Sequence, residues 1–319
     1  MVAPFTRLVD GLIHAYRPAP DEVGVLAPVA SLRPAAGDEV VDHTVAADLS
    51  FACYTTLNAL VRVAADGTEA WRAPFEPRST AVHGHHPGCA LSADGRVVWV
   101  YRPDAMAGRG REDRLVAFDA ATGEALAEEE LETVGHGAVQ LVHPTSGEVL
   151  CDVGEGQDGT VVYRASLSGG GDGGGGRMEL TRYPWDDRCL IGLSPDGRHF
   201  LTVDHAQNDL TVHTFPGGEE VFTLTVDAFG QDPERIYVEW AGGYLDGDTL
   251  LISLMGEVEE DDEDEDEEWF RSYRVDARTG HVHGELATHG EGSYDLIPLG
   301  DGSWLTGSPG EHPVRHLAR

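Results

Sequence analysis

The same order of short strand-like runs and turns returns along the chain, and residues 188–224 carry it most plainly. The apolar run 190–193 leads into the turn Ser194, Pro195, Asp196, Gly197, and a β-branched and aromatic run follows at 199–203. Asp209 then opens LTVHTF, and Gly217 with Gly218 leads into EVFTL. Proline presets the backbone angle at the first central position of a turn and glycine accepts positive φ, so this order predicts four short antiparallel strands. Upstream, CALSADGRVVWVYR and DRLVAFDAATGEAL repeat the order around Ser92 and Asp113, and AVQLVHPTSGEVLCDV with DGTVVYRASL repeats it around Asp158. Asn58 opens a more degenerate copy. The steps from Asn58 to Asp113, Asp158 and Asp209 are 55, 45 and 51 residues. Repeats of that length, each with several short strands, build radial arrays of small sheets.

Downstream, YVEWAGGYLDGDTLLISL and WFRSYRVDARTGHVHGEL make a fifth copy, and YDLIPLGDGSWLTGS with PVRHL makes a truncated sixth. The chain resembles the WD-repeat β-propeller family of bacterial type in these elements. Gly84-His85 and Gly135-His136 match that family's Gly-His, residues 194–197 its SPDG turn, and Asp158-Gly159-Thr160 and Asp209-Leu210-Thr211 its Asp-x-Thr. The family's Trp-Asp ending is replaced by Phe118-Asp119. The resemblance spans residues 39–317 and implies an all-β fold. That fold is a single propeller domain of six four-stranded blades, or seven, with repeats at about 39–80, 81–132, 133–183, 184–230, 231–288 and 289–319. It leaves function open, since propellers host binding and catalysis alike.

The sixth repeat runs out after three strands, and an open sheet edge is a template for aggregation. Residues 1–38 hold two apolar stretches separated by Pro18 and Pro20. A strand from this segment is therefore expected to complete the C-terminal blade; the rest of it is either a degenerate seventh blade or a connector.

With 22 basic and 56 acidic residues the formal charge is −34, and every basic residue is arginine. Such a surface repels phosphate backbones, which argues against nucleic acid, and attracts basic proteins at long range. No apolar run is long enough to span a bilayer and no secretory signal is visible, so no membrane association is expected. Cys53, Cys89, Cys151 and Cys189 fall singly inside predicted strands, as free thiols of a cytoplasmic protein do.

Three insertions fall between predicted strands. Residues 102–112, RPDAMAGRGRE, are basic in an acidic chain and read as a flexible loop, either solvated or for binding. Residues 168–176, SGGGDGGGG, read as a spacer. Residues 257–268, EVEEDDEDEDEE, form a self-repelling block expected to be mobile, either a solvated face or a lure for a basic partner.

Aligning the repeats on their first turn places His85, His136 and Asp187 seven residues before Ser92, His143 and Ser194. Equivalent positions of a propeller ring one mouth of its axial channel. Two imidazoles and a carboxylate there are a candidate divalent-metal site, or general acid-base groups if the protein is an enzyme. The resemblance implies a different role, in which His85 braces Asp113 and His136 braces Asp158. No nucleophile elbow, zincin helix or dinucleotide motif is present. The favoured expectation is a binding module, with no cofactor, that recognises a basic partner protein at one propeller face. The alternative is a lyase, isomerase or hydrolase acting on a small molecule at the channel mouth through His85, His136 and Asp187, with a divalent metal in the axial channel.

Overall fold

The computed structural model describes residues 4–79, 81, 85–169, 176–185, 187–258, 267–290 and 292–318. Its strands run in order as β1 (Phe5–Val9), β2 (Leu12–Tyr16), β3 (Gly24–Val25) and β4 (Ala30–Leu32), then β5 (Asp42–Val45), β6 (Phe51–Thr56), β7 (Ala59–Ala64) and β8 (Glu69–Pro74). Next come β9 (Gly88–Leu91), β10 (Val97–Arg102), β11 (Asp113–Asp119) and β12 (Ala125–Leu131), followed by β13 (Gly137–Val142), β14 (Val149–Gly154), β15 (Thr160–Ser168) and β16 (Arg177–Arg182). The second half holds β17 (Arg188–Leu193), β18 (His199–Asp204), β19 (Asp209–Thr214) and β20 (Glu220–Thr225). It continues with β21 (Ile236–Tyr244), β22 (Thr249–Val258), β23 (Glu267–Asp276) and β24 (Val282–Leu286), and ends with β25 (Ile297–Pro298), β26 (Ser303–Thr306) and β27 (Val314–Leu317).

These strands form seven antiparallel sheets, six of four strands and one of three, so the fold is an all-β propeller with seven blades. By contact the chain divides into two compact units: Met1–Arg17 with Ala27–Asp186, and Pro18–Leu26 with Asp187–Arg319. The first holds the sheets β1-β2-β4, β5-β8, β9-β12 and β13-β16, and the second β17-β20, β21-β24 and β25-β26-β27-β3.

Both questions left open by residues 1–38 are answered. β3 pairs with β27 as the outer strand of the last blade, with Val25 opposite Val314. The buried Arg315 anchors it, donating to the carbonyls of Ala19 and Glu22 and pairing with Asp301 at 2.9 Å. β1, β2 and β4 form the seventh, three-stranded blade, its first hairpin turning at Asp10 and Gly11 with φ of 49° and 73°.

The repeated turn works as its residue types require. Ser194 Oγ donates to Asp196 and accepts from the His199 N–H, while Gly197 takes φ 73°. Ser92, Asp94 and Gly95 do the same at φ 74°. Between these turns the strands bury alternate apolar residues against the neighbouring blade, as in the cluster of Trp99, Tyr101, Leu115, Val149, Cys151 and Val161. In the first unit, tryptophans tie blade to blade: Trp71 Nε1 donates to the Ala120 carbonyl and Trp99 Nε1 to that of Gly147. A β-carbon on Gly123 would lie 2.6 Å from the Trp71 ring, so this turn needs glycine for space as well as for its φ of 76°. No helix among the described residues is long and apolar enough to cross a membrane.

Candidate functional site

His85 and His136 stand at the starts of β9 and β13 in the first unit, and their surroundings differ. His85 is fully buried, with Nε2 3.3 Å from the Ala81 carbonyl and Nδ1 without a hydrogen-bond partner among the described residues. Burial, reinforced by the nearby Arg109, holds its pKa below the ordinary value, so the ring is kept neutral. His136 is exposed, and its carbonyl accepts the His86 N–H at 2.7 Å. Asp187, in the second unit, is also exposed and accepts the His205 N–H through its carbonyl at 2.6 Å. Gly84 lies outside the described residues. Among the described residues no group of three or more His, Cys, Asp or Glu side chains is arranged to hold a metal ion.

The brace expected between His85 and Asp113 has other members. Asp113 accepts from the Tyr101 hydroxyl at 2.9 Å, the Thr133 hydroxyl at 3.1 Å and the Gly135 N–H at 2.6 Å. The glycine of Gly135-His136, not the histidine of its own repeat, thus closes on the aspartate. A β-carbon on Gly135 would sit 2.4 Å from Val153 and 2.7 Å from the Tyr101 hydroxyl, so only glycine brings that N–H close enough. Asp158 is exposed in a short 3-10 turn, Gly156–Asp158.

His85 lies beside a buried ionic knot made by the insertion between β10 and β11. Asp104 accepts from Arg102 at 2.7 Å and Arg109 at 3.3 Å, with Arg114 at 3.7 Å, and the Asp104 and Arg109 side chains are 2% and 1% exposed. Arg109 also donates to the carbonyls of Leu57 and Pro77 and to Asn58 Oδ1, and both Arg102 and Arg109 lie over the Phe75 ring. Arg102 and Arg109, two of the three arginines that made this segment look like a flexible basic loop, fasten it to the preceding blade.

On the innermost strands of the same unit, β9 lies between β5 and β13. Asp42 on β5 accepts the Cys89 N–H at 2.7 Å, capping a backbone donor on the free edge of β9. Burial pushes the Asp42 carboxyl up and lowers His43 to about 4. Gln140 on β13 reaches Gly88, whose β-carbon would meet its Oε1 at 2.9 Å.

In the second unit two features lie outside the repeat motifs. β21 bulges between Val238 and Gly242, so Glu239, Trp240 and Ala241 face a single residue of β22. The bulge turns Glu239 and Trp240 onto the loop 204–208 of the preceding blade, where Gln207 donates to Glu239 at 3.1 Å and Trp240 Nε1 to the Asp204 carbonyl at 3.2 Å. Glu239 is buried and also accepts from the Tyr294 hydroxyl. Gly242 at φ 134° and Gly243 at φ 141° permit the bulge; a β-carbon on Gly242 would lie 2.3 Å from the Leu251 carbonyl. The Gly242-Gly243 pair inside an apolar run was its signal in the sequence.

The second feature is the length of the β22-β23 hairpin, ten residues in each strand. Tyr237, Met255 and Phe270 are direct cross-strand neighbours on β21, β22 and β23, and so form one row on one face. Tyr237 and Phe270 are each 36% exposed. On the opposite face Trp269 lies against Gly256, with Arg271 stacked 4.5 Å from its ring centroid. The hairpin leads straight into the acidic run, of which residues 259–266 lie outside the described residues, as do residues 170–175 of the glycine-rich insertion.

Nucleophilic chemistry has little support in the thiols. Cys53, Cys89 and Cys151 are free and buried, and burial pushes all three upward, Cys53 to about 12.

No protein-family model and no curated protein sequence matches the chain. Solved structures do resemble it. Hydrazine synthase of Kuenenia stuttgartiensis is 13% identical with a TM-score of 0.55, over 84% of this chain and 73% of that one. Dihydro-heme d1 dehydrogenase NirN, in complex with DHE, is 12% identical with a TM-score of 0.54, over 94% of this chain and 56% of that one. The Dos1 propeller is 10% identical with a TM-score of 0.52, over 96% of this chain and 79% of that one. At such identities the likeness extends to the fold alone: this chain is built as a β-propeller.

Proposed function

We propose that the chain is a divergent WD-repeat-like propeller that works as a binding module in the cytoplasm and recognises a basic segment of a partner protein. The observation that carries this reading is the Tyr237-Met255-Phe270 row on the long hairpin. Large aromatic side chains left a third exposed and adjoining in a row mark an interaction surface more often than scattered single residues do. Methionine between two rings is adaptable, and aromatic faces attract guanidinium and ammonium groups. The β22 and β23 strands that carry part of the row are joined through eight consecutive carboxylates, residues 259–266, and the run continues into β23 through Glu267 and Glu268, in a chain of net charge −34. A basic segment would be drawn in by that charge and held by the row.

The test is calorimetric titration of the full chain with a short arginine-rich peptide and with its glutamate-substituted counterpart. Binding of the basic peptide alone, weakened in a Tyr237→Ala, Phe270→Ala double variant that still folds, supports the reading. Equal binding to the double variant and the wild type removes the row from the site.

A further inference from the structure

The fourth strand of the β21-β24 blade leaves part of the third uncovered. β24 pairs with β23 only from Val275 to Ser272, with Val282 and Leu286 as the outermost partners. β23 continues for five more residues, from Arg271 back to Glu267, paired on one side only, with β22. Past Leu286 the chain turns away: the Thr288 carbonyl accepts Trp304 Nε1 at 3.0 Å, which draws this segment to the last blade. Among the described residues no backbone group bonds to the outer edge of residues 267–271. In an antiparallel ladder alternate residues point both N–H and C=O to the same side, so two or three of these five offer a donor and an acceptor outward. In the β9-β12 and β17-β20 blades the outer strand keeps pace with the third: β12 pairs with β11 from Leu131 to Ala125, and β20 with β19 from Thr225 to Glu220.

We propose that this uncovered edge of β23 is where the basic segment docks, as an added β-strand. The inference rests on the basic-partner reading above and states how the partner is held. Open edges are blunted by proline, a bulge or charged side chains; residues 267–271, EEWFR, contain neither proline nor a bulge, and their charges are two glutamates and one arginine. What they do contain is selective. Glu267 and Glu268 continue the run of carboxylates, so a second copy of this chain brought edge to edge would set two such runs side by side, whereas an arginine-rich strand would neutralise one. Main-chain bonds along the edge supply affinity, and alternate side chains of the incoming strand reach the face that carries Phe270.

The probes are a peptide of alternating arginine and threonine and two forms of it, N-methylated at the odd or at the even backbone nitrogens. All three carry the same charge. The expected result is that the parent binds the full chain, one N-methyl register binds about tenfold more weakly or worse while the other binds nearly as the parent does, and the amides of residues 267–271 gain protection from hydrogen exchange. Equal binding of all three peptides, or binding without that protection, overturns the added strand and leaves the basic-partner reading standing. Failure of the parent to bind overturns both.

Discussion

Two insertions occupy the same place in their blades, between the second and third strands, and end in opposite ways. Residues 102–112 join β10 to β11 and fold inward, with Asp104 held by three arginines and two of these stacked on Phe75. The hairpin of β22 and β23 instead carries the sheet outward, with an aromatic row on one face and an uncovered edge. The difference follows from charge pattern. The first insertion contains both signs, so it satisfies its own charges and becomes part of the scaffold. The second has one sign only, cannot pair within itself, and keeps its charge for something else.

The sharpest way to break this comparison is to remove the centre of the knot. Asp104→Ala leaves Arg102 and Arg109 without their carboxylate, and Arg109 is 1% exposed. A stability loss of about 3–5 kcal/mol in denaturant unfolding is expected, with binding of the arginine-rich peptide unchanged in the fraction that remains folded. A loss under about 1 kcal/mol would mean that the knot behaves like a surface pair, and the contrast between the two insertions would collapse.

The mirror experiment is the Tyr237→Ala, Phe270→Ala double variant. Each ring is 36% exposed and so keeps about two-thirds of its burial; the double truncation should cost about 2–4 kcal/mol of stability, while peptide affinity falls about tenfold to a hundredfold in the folded protein. A large stability loss with unchanged affinity would assign the row to packing rather than to recognition.

Much of this contrast was open to sequence reasoning, and what was not has identifiable causes. The blades were legible because their turns are chemical: Ser194, Asp196 and Gly197 each do in the fold what their side chains predict. The closing strand was legible from the missing fourth run of the last repeat, and a degenerate seventh blade was one of two readings of the rest of residues 1–38; its Asp10-Gly11 turn is the hairpin signal that favours the blade over a connector. Site residues were harder. His85 and His136 occupy the same repeat position, but one is buried and the other exposed, because neighbouring insertions decide burial and they differ from blade to blade. Arg102 and Arg109 pair with Asp104, and Arg109 also with backbone carbonyls of the preceding blade, partners that carry no sequence signature. The uncovered edge of β23 is a difference in length between two adjacent strands, which periodicity cannot give to within the few residues that matter.

The carboxylate run sharpens the comparison by a smaller amount. Replacing residues 259–266 with a short glycine-serine link should weaken peptide binding about threefold to tenfold at low salt and flatten its salt dependence, leaving the Tyr237-Met255-Phe270 row to supply what affinity remains. Unchanged salt dependence would assign the electrostatic attraction to the rest of the acidic surface.

The smallest expected effect tests whether the knot also sets a pH limit. His85 is buried beside Arg109 and Asp104, and burial keeps its folded-state pKa below that of the unfolded chain. A group of that kind binds its proton more readily when unfolded, so its contribution to stability is present above the unfolded value, about 6.5, and is lost as pH falls below it. His43 and His213, both lowered to about 4 by burial, tilt the wild-type profile in the same direction, so the slope by itself assigns nothing. The informative quantity is the difference between wild type and His85→Gln, which cannot take up the proton. Between pH 7 and 5.5 the variant should lose less stability than the wild type. If His85→Gln keeps the full slope, acid sensitivity belongs to the other buried histidines, and the knot is held by its ion pairs without help from the neutral imidazole beside them.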